Sequence, residues 1–597
     1  MAPTGSELFA GVEIDTTEYK YAFSRARVFR EAGEAFSAEG NAERARECDF
    51  EDLVFRAHAT DAAPPGERFG PEYIAADGTT YPDLNNLPDG LQAYVASRAQ
   101  TTTNPIHRAR YCDFLWDKFK DFRQGRAAVD AYLACVPHYR AQHWDLEQYD
   151  AFRRTAQLIR LLNVKAMVPA VEAEIMNSLL RFEADERLPL VSRIAEVLLE
   201  LPGGNTNLRQ QAADLVRRTA DSFRTQGNFN AHRFTLKGLM AFHKALGDQE
   251  SARKANIEIG ESFELEGDSR LPGSNFAAGH FYALALQHYS NIGHPEPLDR
   301  LKVKAQEANR QAVETEFKAL GYRFSLPKEH VEEIIQHFVA DGLEPALERI
   351  ALAFIPSLQG AQERLQAARE GTVFHMLVRP VAVTARGNIT SSPKTDEEAD
   401  AFHLYQHFGR EIQFNAVLYL APILERLKAE HGLTCERLTA YVTQAWLFRD
   451  RDHTLLAYSL QRYFESDFIG SIHVLIPQVE AGFRHLLQRM GVATTSADSE
   501  HPGVTSEKTF GTLLSEPALR EVFGPDVIAY LRVVLSDPRG YNLRNEVAHG
   551  LAEPGAFNRA NAETLLHIIL LLTLLRPQVQ DSGTTGPAEN TEPPQAP

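Results

Sequence analysis

Residues 152–182 read FRRTAQLIRLLNVKAMVPAVEAEIMNSLLRF. Apolar side chains return every third or fourth position, which gathers them on one face of a 3.6-residue helix and rules out the two-residue alternation of a half-buried strand. The same periodicity runs through most of the 597 residues. Short breaks punctuate it at Pro202-Gly203-Gly204-Asn205, Gly247-Asp248 and Gly293-His294-Pro295. Strand-like alternation is rare; its best instance, TVFHMLVRPVAVT at 372–384, is interrupted by Pro380, which has no backbone donor for a ladder. An all-α chain is predicted.

Working outward, residues 232–265 and 275–313 resemble each other loosely. Each gives a helix rich in small and aromatic residues, a glycine-centred turn and a charged helix. Phe281-Tyr282-Ala283, Ala285-Leu286 and Tyr289 before Asn291-Ile292-Gly293 resemble solenoid repeats of the tetratricopeptide kind, although the consensus is poorly kept. Residues 62–105 read as loop with a short helix near 91–99, and 386–400, RGNITSSPKTDEEAD, as a polar linker. The last residues, SGTTGPAENTEPPQAP at 582–597, hold too little apolar surface to fold and are expected to be disordered. The expected organisation is an N-terminal α-helical region (1–385, solenoid-like in part), a linker (386–400), a helical connector (401–455), a C-terminal helical bundle (456–577) and a tail (578–597).

Composition narrows the function classes. Cys48, Cys112, Cys135 and Cys435 are far apart and form no C-x-x-C pair, which argues against a disulfide framework or a zinc knuckle and suits a reducing cytoplasm. The first residues show no basic stretch leading into an apolar one, so no secretory signal is expected. The most apolar run, LLHIILLLTLL at 565–575, is about half the roughly 20 residues a membrane helix needs; it reads as a core helix, with no membrane contact. A net charge of −18 disfavours bulk nucleic-acid binding, which draws on local Lys and Arg. Residues 461–577 hold ten Lys plus Arg against thirteen Asp plus Glu, so this region is close to neutral. No P-loop, G-x-G-x-x-G, G-x-S-x-G or H-E-x-x-H occurs. His138 and His143 stand five apart with no third ligand in view, and neither a metal nor a cofactor is implied.

Chemistry concentrates near the C-terminus. A long helix is predicted over 453–490, with Ile472, Leu475, Val479, Phe483, Leu486 and Met490 forming its buried stripe and Pro477 interrupting it. Glu480 lies beside the stripe, four residues before Arg484, where a surface ion pair is one reading. A helix pair follows near 509–514 and 525–535. Then comes DPRGYNLRNEVAHGL at 537–551. Asn542 suits an N-cap and Gly550 a C′ stop, so 543–549 should make about two turns. Asn545 and His549 then share a face, with Arg544 adjacent.

The R-N-x-x-x-H pattern resembles the motif of the HEPN superfamily. Together with HVLIPQVEAGFRHLLQRMG at 473–491 and the trailing glycine, residues 456–577 are similar to a family of unknown function defined by a C-terminal RNxxxHG signature. One eukaryotic relative in that family is the endoplasmic reticulum membrane-associated RNA degradation protein; the present chain lacks its spanning segment. TTTNPIHRARYCDFLWDKF at 101–119 also looks like the helical region that accompanies this domain in bacterial proteins. The resemblance implies a metal-independent endoribonuclease, with RNA as substrate and two copies pairing their Arg and His in one cleft, hence a homodimer. By analogy with many bacterial HEPN proteins it also implies a toxin-like or phage-defence role.

The residue types suit that chemistry. When a ribose 2′-hydroxyl attacks the neighbouring phosphate, a group titrating near neutral pH must move protons, and a fixed cation must stabilise the phosphorane. His549 is the acid/base candidate, Arg544 the phosphate clamp, Asn545 the orienting residue and Glu480 a support from the long helix. Plainer roles stand beside each: Arg544 pairing with Asp537 or Glu480, Asn545 capping a neighbouring helix, His549 as a core imidazole. Two rival functions remain at this stage. One is a non-catalytic HEPN-type module that binds RNA or nucleotide or dimerises; the other is a helical scaffold whose N-terminal region senses a protein or ligand.

Overall fold

The computed structural model describes all residues except 1–2, 16, 60–66, 186–187, 319–325, 372–379, 385, 498–500, 502 and 578–597. Most of the alternating stretch at 372–384 and the whole C-terminal tail therefore lie outside the described residues. The chain is all-α: among the described residues, strands occur only as four two-stranded antiparallel ribbons. It divides into two compact units, Met1–Ala305 and Gln306–Pro597.

In the first unit, sequence-adjacent helices pack on one another, most regularly from Thr206–Thr225 through Phe229–Ala245 and Gln249–Arg270 to Asn275–Asn291. The turns share one local solution. Gly227 and Gly247 adopt φ of 71° and 80°, a region open to glycine at little steric cost. The amides of Asn228 and Asp248 reach back to Phe223 O and His243 O, both at 2.9 Å, which satisfies the last carbonyls of one helix. The same two side chains then cap the next helix, accepting from Ala231 N and Ser251 N. Tyr289 and Tyr282 of the last helix fit notches at Gly260 and Gly267, where an added Cβ would sit 2.5 Å from each ring. The short helix expected near 91–99 is Leu91–Thr101.

The second unit is built around Arg559–Thr573, in which every residue from Ala562 to Thr573 is buried. Its apolar run is core. A helix buried all round needs cover on all sides, and the cover comes from both flanks of the expected linker: Ile335, Leu347 and Ile350 share one apolar core with Phe483, Val534 and Leu570. Residues 386–400 consequently lie inside this unit, and the division falls at 305/306. Part of that stretch is ordered, with Ala382–Val383 pairing with Ile389–Ser391 and a helix starting at Asp396.

The helix expected over 453–490 is two, Thr454–Phe464 and Phe468–Arg489. The chain turns at Glu465-Ser466-Asp467, where Ser466 takes φ 61° and Asp467 caps the second helix by accepting from Gly470 N at 2.9 Å. Apolar periodicity on both sides hides a break made by one left-handed residue. Pro477 sits inside the second helix without ending it.

Candidate functional site

The site is assembled by a fold-back. After helix Pro517–Leu535, the Tyr541 amide donates to Val533 O at 2.7 Å. The Tyr541 hydroxyl donates to Gly409 O at 2.8 Å. Asp537 holds Arg539 through two guanidinium contacts, 2.8 and 2.6 Å, and is thereby removed as a partner for Arg544. The guanidinium of Arg539 lies 4.0 Å from the Tyr405 ring centre, a cation–π contact. This turn delivers the chain to the six-residue helix Leu543–Ala548, anchored by buried Leu543.

Asn542 occupies the N-cap position but does not cap with its side chain; it takes φ 52° instead. Its amide group donates to Glu546 Oε1 at 3.2 Å and its carbonyl accepts from Asn545 Nδ2 at 2.8 Å. Asn545 also donates to Ser536 O at 3.3 Å, the residue that ends the preceding helix. The helix-capping role is thus realised for Asn545. The helix is one residue shorter than expected: His549 is its C-cap, and Gly550 follows at φ 64°.

Arg544 is half-buried and held on two sides. Its Nε donates to Glu480 Oε2 at 3.0 Å and its Nη1 to Asn545 Oδ1 at 3.2 Å. Glu480 places its other oxygen 2.7 Å from Arg484, so the i,i+4 pair and the support of Arg544 coexist on one carboxylate. Arg484 in turn binds Glu507 and the carbonyl of Lys508, tying the ribbon Thr495–Ala497/Thr505–Glu507 to the long helix. His549 differs from its neighbours. It is exposed, which overturns a core imidazole, and its ring has no hydrogen-bond or ion-pair partner among the described residues.

Arg544, Asn545 and His549 line one cleft of about 430 Å³. Its far wall is a hairpin whose first strand ends the alternating stretch 372–384 and whose turn and second strand fall in the expected linker 386–400: Thr384, Asn388 and Thr390 line the cleft, and Arg386 donates to Gly550 O at 2.8 Å. A second cleft of about 680 Å³ shares Asn388, Thr390, Asn542 and Glu546 and runs under the same hairpin. The hairpin did leave a sequence signal. Val-Ala-Val-Thr and Ile-Thr-Ser flank Ala385-Arg386-Gly387-Asn388, and Gly387 turns at φ 81°, a β-branched pair of runs around a glycine turn. Thr509 and Gly511, also on the cleft wall, carry no such signal. Among the described residues, no group of three or more His, Cys, Asp or Glu is placed to hold a metal ion, and no helix is long and apolar enough to cross a membrane.

A search of curated proteins finds none that matches the chain. A family model described as a domain of unknown function (DUF7380) matches residues 12–170, within the first unit and including the stretch 101–119.

Proposed function

We propose that the C-terminal unit is a metal-independent endoribonuclease of the HEPN kind. The observation that carries this reading is the division of labour on one short helix. The Arg544 cation is fixed by Glu480 and Asn545, while the neighbouring His549 ring is exposed and unpartnered at the same cleft. A fixed guanidinium is suited to phosphate oxygens in the transition state. A solvent-facing imidazole is suited to accept and return protons near neutral pH. In this scheme the 2′-oxygen bonds to phosphorus, the P–O5′ bond breaks, and the 5′-oxygen takes a proton, leaving 2′,3′-cyclic phosphate and 5′-hydroxyl ends. His549 moves the protons, Arg544 holds the non-bridging oxygens, and Asn545 and Glu480 set the guanidinium. Two copies bringing two such helices into one cleft would supply separate acid and base; a homodimer is part of the proposal, and a strictly monomeric active enzyme would remove it. A toxin or phage-defence role is the biological setting proposed with it.

The test is labelled RNA incubated with the full chain in EDTA. Fragments ending in cyclic phosphate, absent with His549→Ala and with Arg544→Ala, are the expected result; intact RNA with the wild type at micromolar enzyme overturns the proposal. One observation favours a second reading, a module that binds RNA or nucleotide without cutting it. Arg544 already spends its Nε on Glu480 and its Nη1 on Asn545. Protection of the melting transition by RNA without cleavage would select that reading.

A further inference from the structure

The motif helix carries one side chain that the cleavage scheme leaves without a task. Glu546 stands two residues after Arg544 and three before His549, and it lines both the motif cleft and the larger cleft of about 680 Å³ under the hairpin. Its Oε1 accepts from Asn542 Nδ2 at 3.2 Å. Its Oε2 has no hydrogen-bond or ion-pair partner among the described residues and is reachable from solvent. Glu480 and Asp537 differ, each held by an arginine, at 3.0 and 2.6 Å.

The larger cleft is poor in free positive charge. Its charged residues are Arg386, Arg539, Glu546 and Glu553. Arg539 is taken by Asp537 and Arg386 donates to Gly550 O, while Glu553 has no ion pair among the described residues. Two carboxylates repel a phosphate and attract a group rich in N–H donors. On the hairpin wall Asn388 also lines both clefts, is exposed, and makes no side-chain hydrogen bond among the described residues. Val383 and the Phe317 ring, 47% exposed, add apolar surface. The volume lies within the roughly 300–1,000 Å³ of small-ligand sites, and an acceptor, an amide and an apolar wall suit a nucleobase.

A carboxylate only accepts hydrogen bonds. Guanine alone of the four bases presents two adjacent donors, N1–H and N2–H, on its Watson–Crick edge. Adenine and cytosine set one donor beside an acceptor, and uracil holds its donor between two carbonyls. We propose that Glu546 selects guanine next to the scissile phosphate. The carboxylate accepts from N1–H and N2–H, Asn388 donates to O6, and the base lies in the larger cleft while the phosphate meets Arg544. This rests on the reading of the motif cleft as an RNA site.

The experiment uses the full chain and uridine decamers carrying one central guanosine, adenosine, cytidine, inosine or 1-methylguanosine. Cleavage is mapped on gels in EDTA, and binding is read by fluorescence anisotropy on 2′-O-methyl copies that cannot be cut. Guanosine is expected to bind and be cut at least about tenfold better than adenosine or cytidine, the discrimination of a bidentate base contact. Inosine should fall between, and 1-methylguanosine should do no better than uridine. Glu546→Gln keeps an acceptor for Asn542 and should bring guanosine and adenosine within about twofold of each other. Because Glu546 also holds Asn542, the inosine and 1-methylguanosine oligomers test the same contact in the unaltered protein. Cleavage indifferent to base, or a guanosine preference that survives in Glu546→Gln, overturns the guanine site and leaves the nuclease reading standing. Guanosine-preferring binding without cleavage of any oligomer supports the site and removes the nuclease; neither binding nor cleavage removes both.

Discussion

Exposure separates the two residues on which cleavage would depend. His549 is exposed and its ring makes no hydrogen bond or ion pair among the described residues, so His549→Ala should leave stability unchanged within about 0.5 kcal/mol, while abolishing RNA cleavage. A thermal melt beside a cleavage assay checks both halves. Arg544 is different, because Glu480 depends on it. Arg544→Ala removes one of two cations from a carboxylate whose side chain is only 15% exposed, and about 1–3 kcal/mol of stability should go with the activity. Glu480→Gln tests the support role: it keeps the shape, weakens both arginine contacts, and should lower turnover more than it raises the substrate concentration needed for half-rate. If Glu480→Gln leaves turnover intact, the Arg544 contact is structural only. The motif's three residue types were legible in the sequence, and so was Glu480 as a neighbour. Which plain role each would also play was not. Asp537 and Glu480 were equal candidates for Arg544 until the Asp537–Arg539 contact removed one of them.

At the scale of elements, the fold-back at Gly540 and the hairpin around Gly387 place the site. A Cβ on Gly540 would meet Val533 O at 2.4 Å and Val533 Cα at 2.8 Å. Those are backbone atoms of a packed helix and cannot rotate away. Gly540→Ala should therefore cost about 2–4 kcal/mol and displace the motif helix, seen as faster amide exchange across 541–551. The hairpin is joined to that helix through Arg386 and Gly550 O. Arg386→Ala should leave global stability within about 1 kcal/mol yet speed exchange at 382–391, and a change in cleavage rate in either direction would show that the hairpin governs access to the cleft. Its part from 386 onward was read as linker because a polar, Pro- and Ser-containing stretch looks the same whether it connects domains or covers a site. Its Gly-centred turn was visible; its destination was not.

Across whole units, buried histidines set the acid limit. His567 donates from Nε2 to Ile350 O and Ala353 O, at 3.0 and 2.9 Å, and accepts from the Tyr530 hydroxyl at Nδ1, 2.8 Å. Those partners fix a neutral tautomer, and burial lowers its pKa to about 4. The unfolded imidazole takes its proton near 6.5. Stability is thus full above about pH 6.5 and declines as pH falls toward about 4, by roughly 3 kcal/mol at one pKa unit per about 1.4 kcal/mol. His107 in the first unit, also buried and lowered to about 4, adds the same trend there. Denaturant midpoints from pH 7.5 to 4.5 should show the decline, and His567→Gln, which can still donate to the two carbonyls, should flatten it for the second unit. An unchanged slope would place the acid sensitivity elsewhere.

What the residues determined alone was local. Helical periodicity, cap chemistry and the brevity of the apolar run at 565–575 are settled by neighbours within about four positions, the reach of the helical hydrogen bond. An all-α chain with a short, glycine-stopped motif helix follows from that range. The tertiary structure decided everything that joins distant positions. A helix buried on every side drew 335–351 into one core with 454–573 and set the boundary at 305/306 instead of in the polar stretch. Packing brought Glu480 to Arg544 across 64 residues and laid the hairpin over the motif. Each of these depends on which surfaces meet, and sequence spacing carries no record of that.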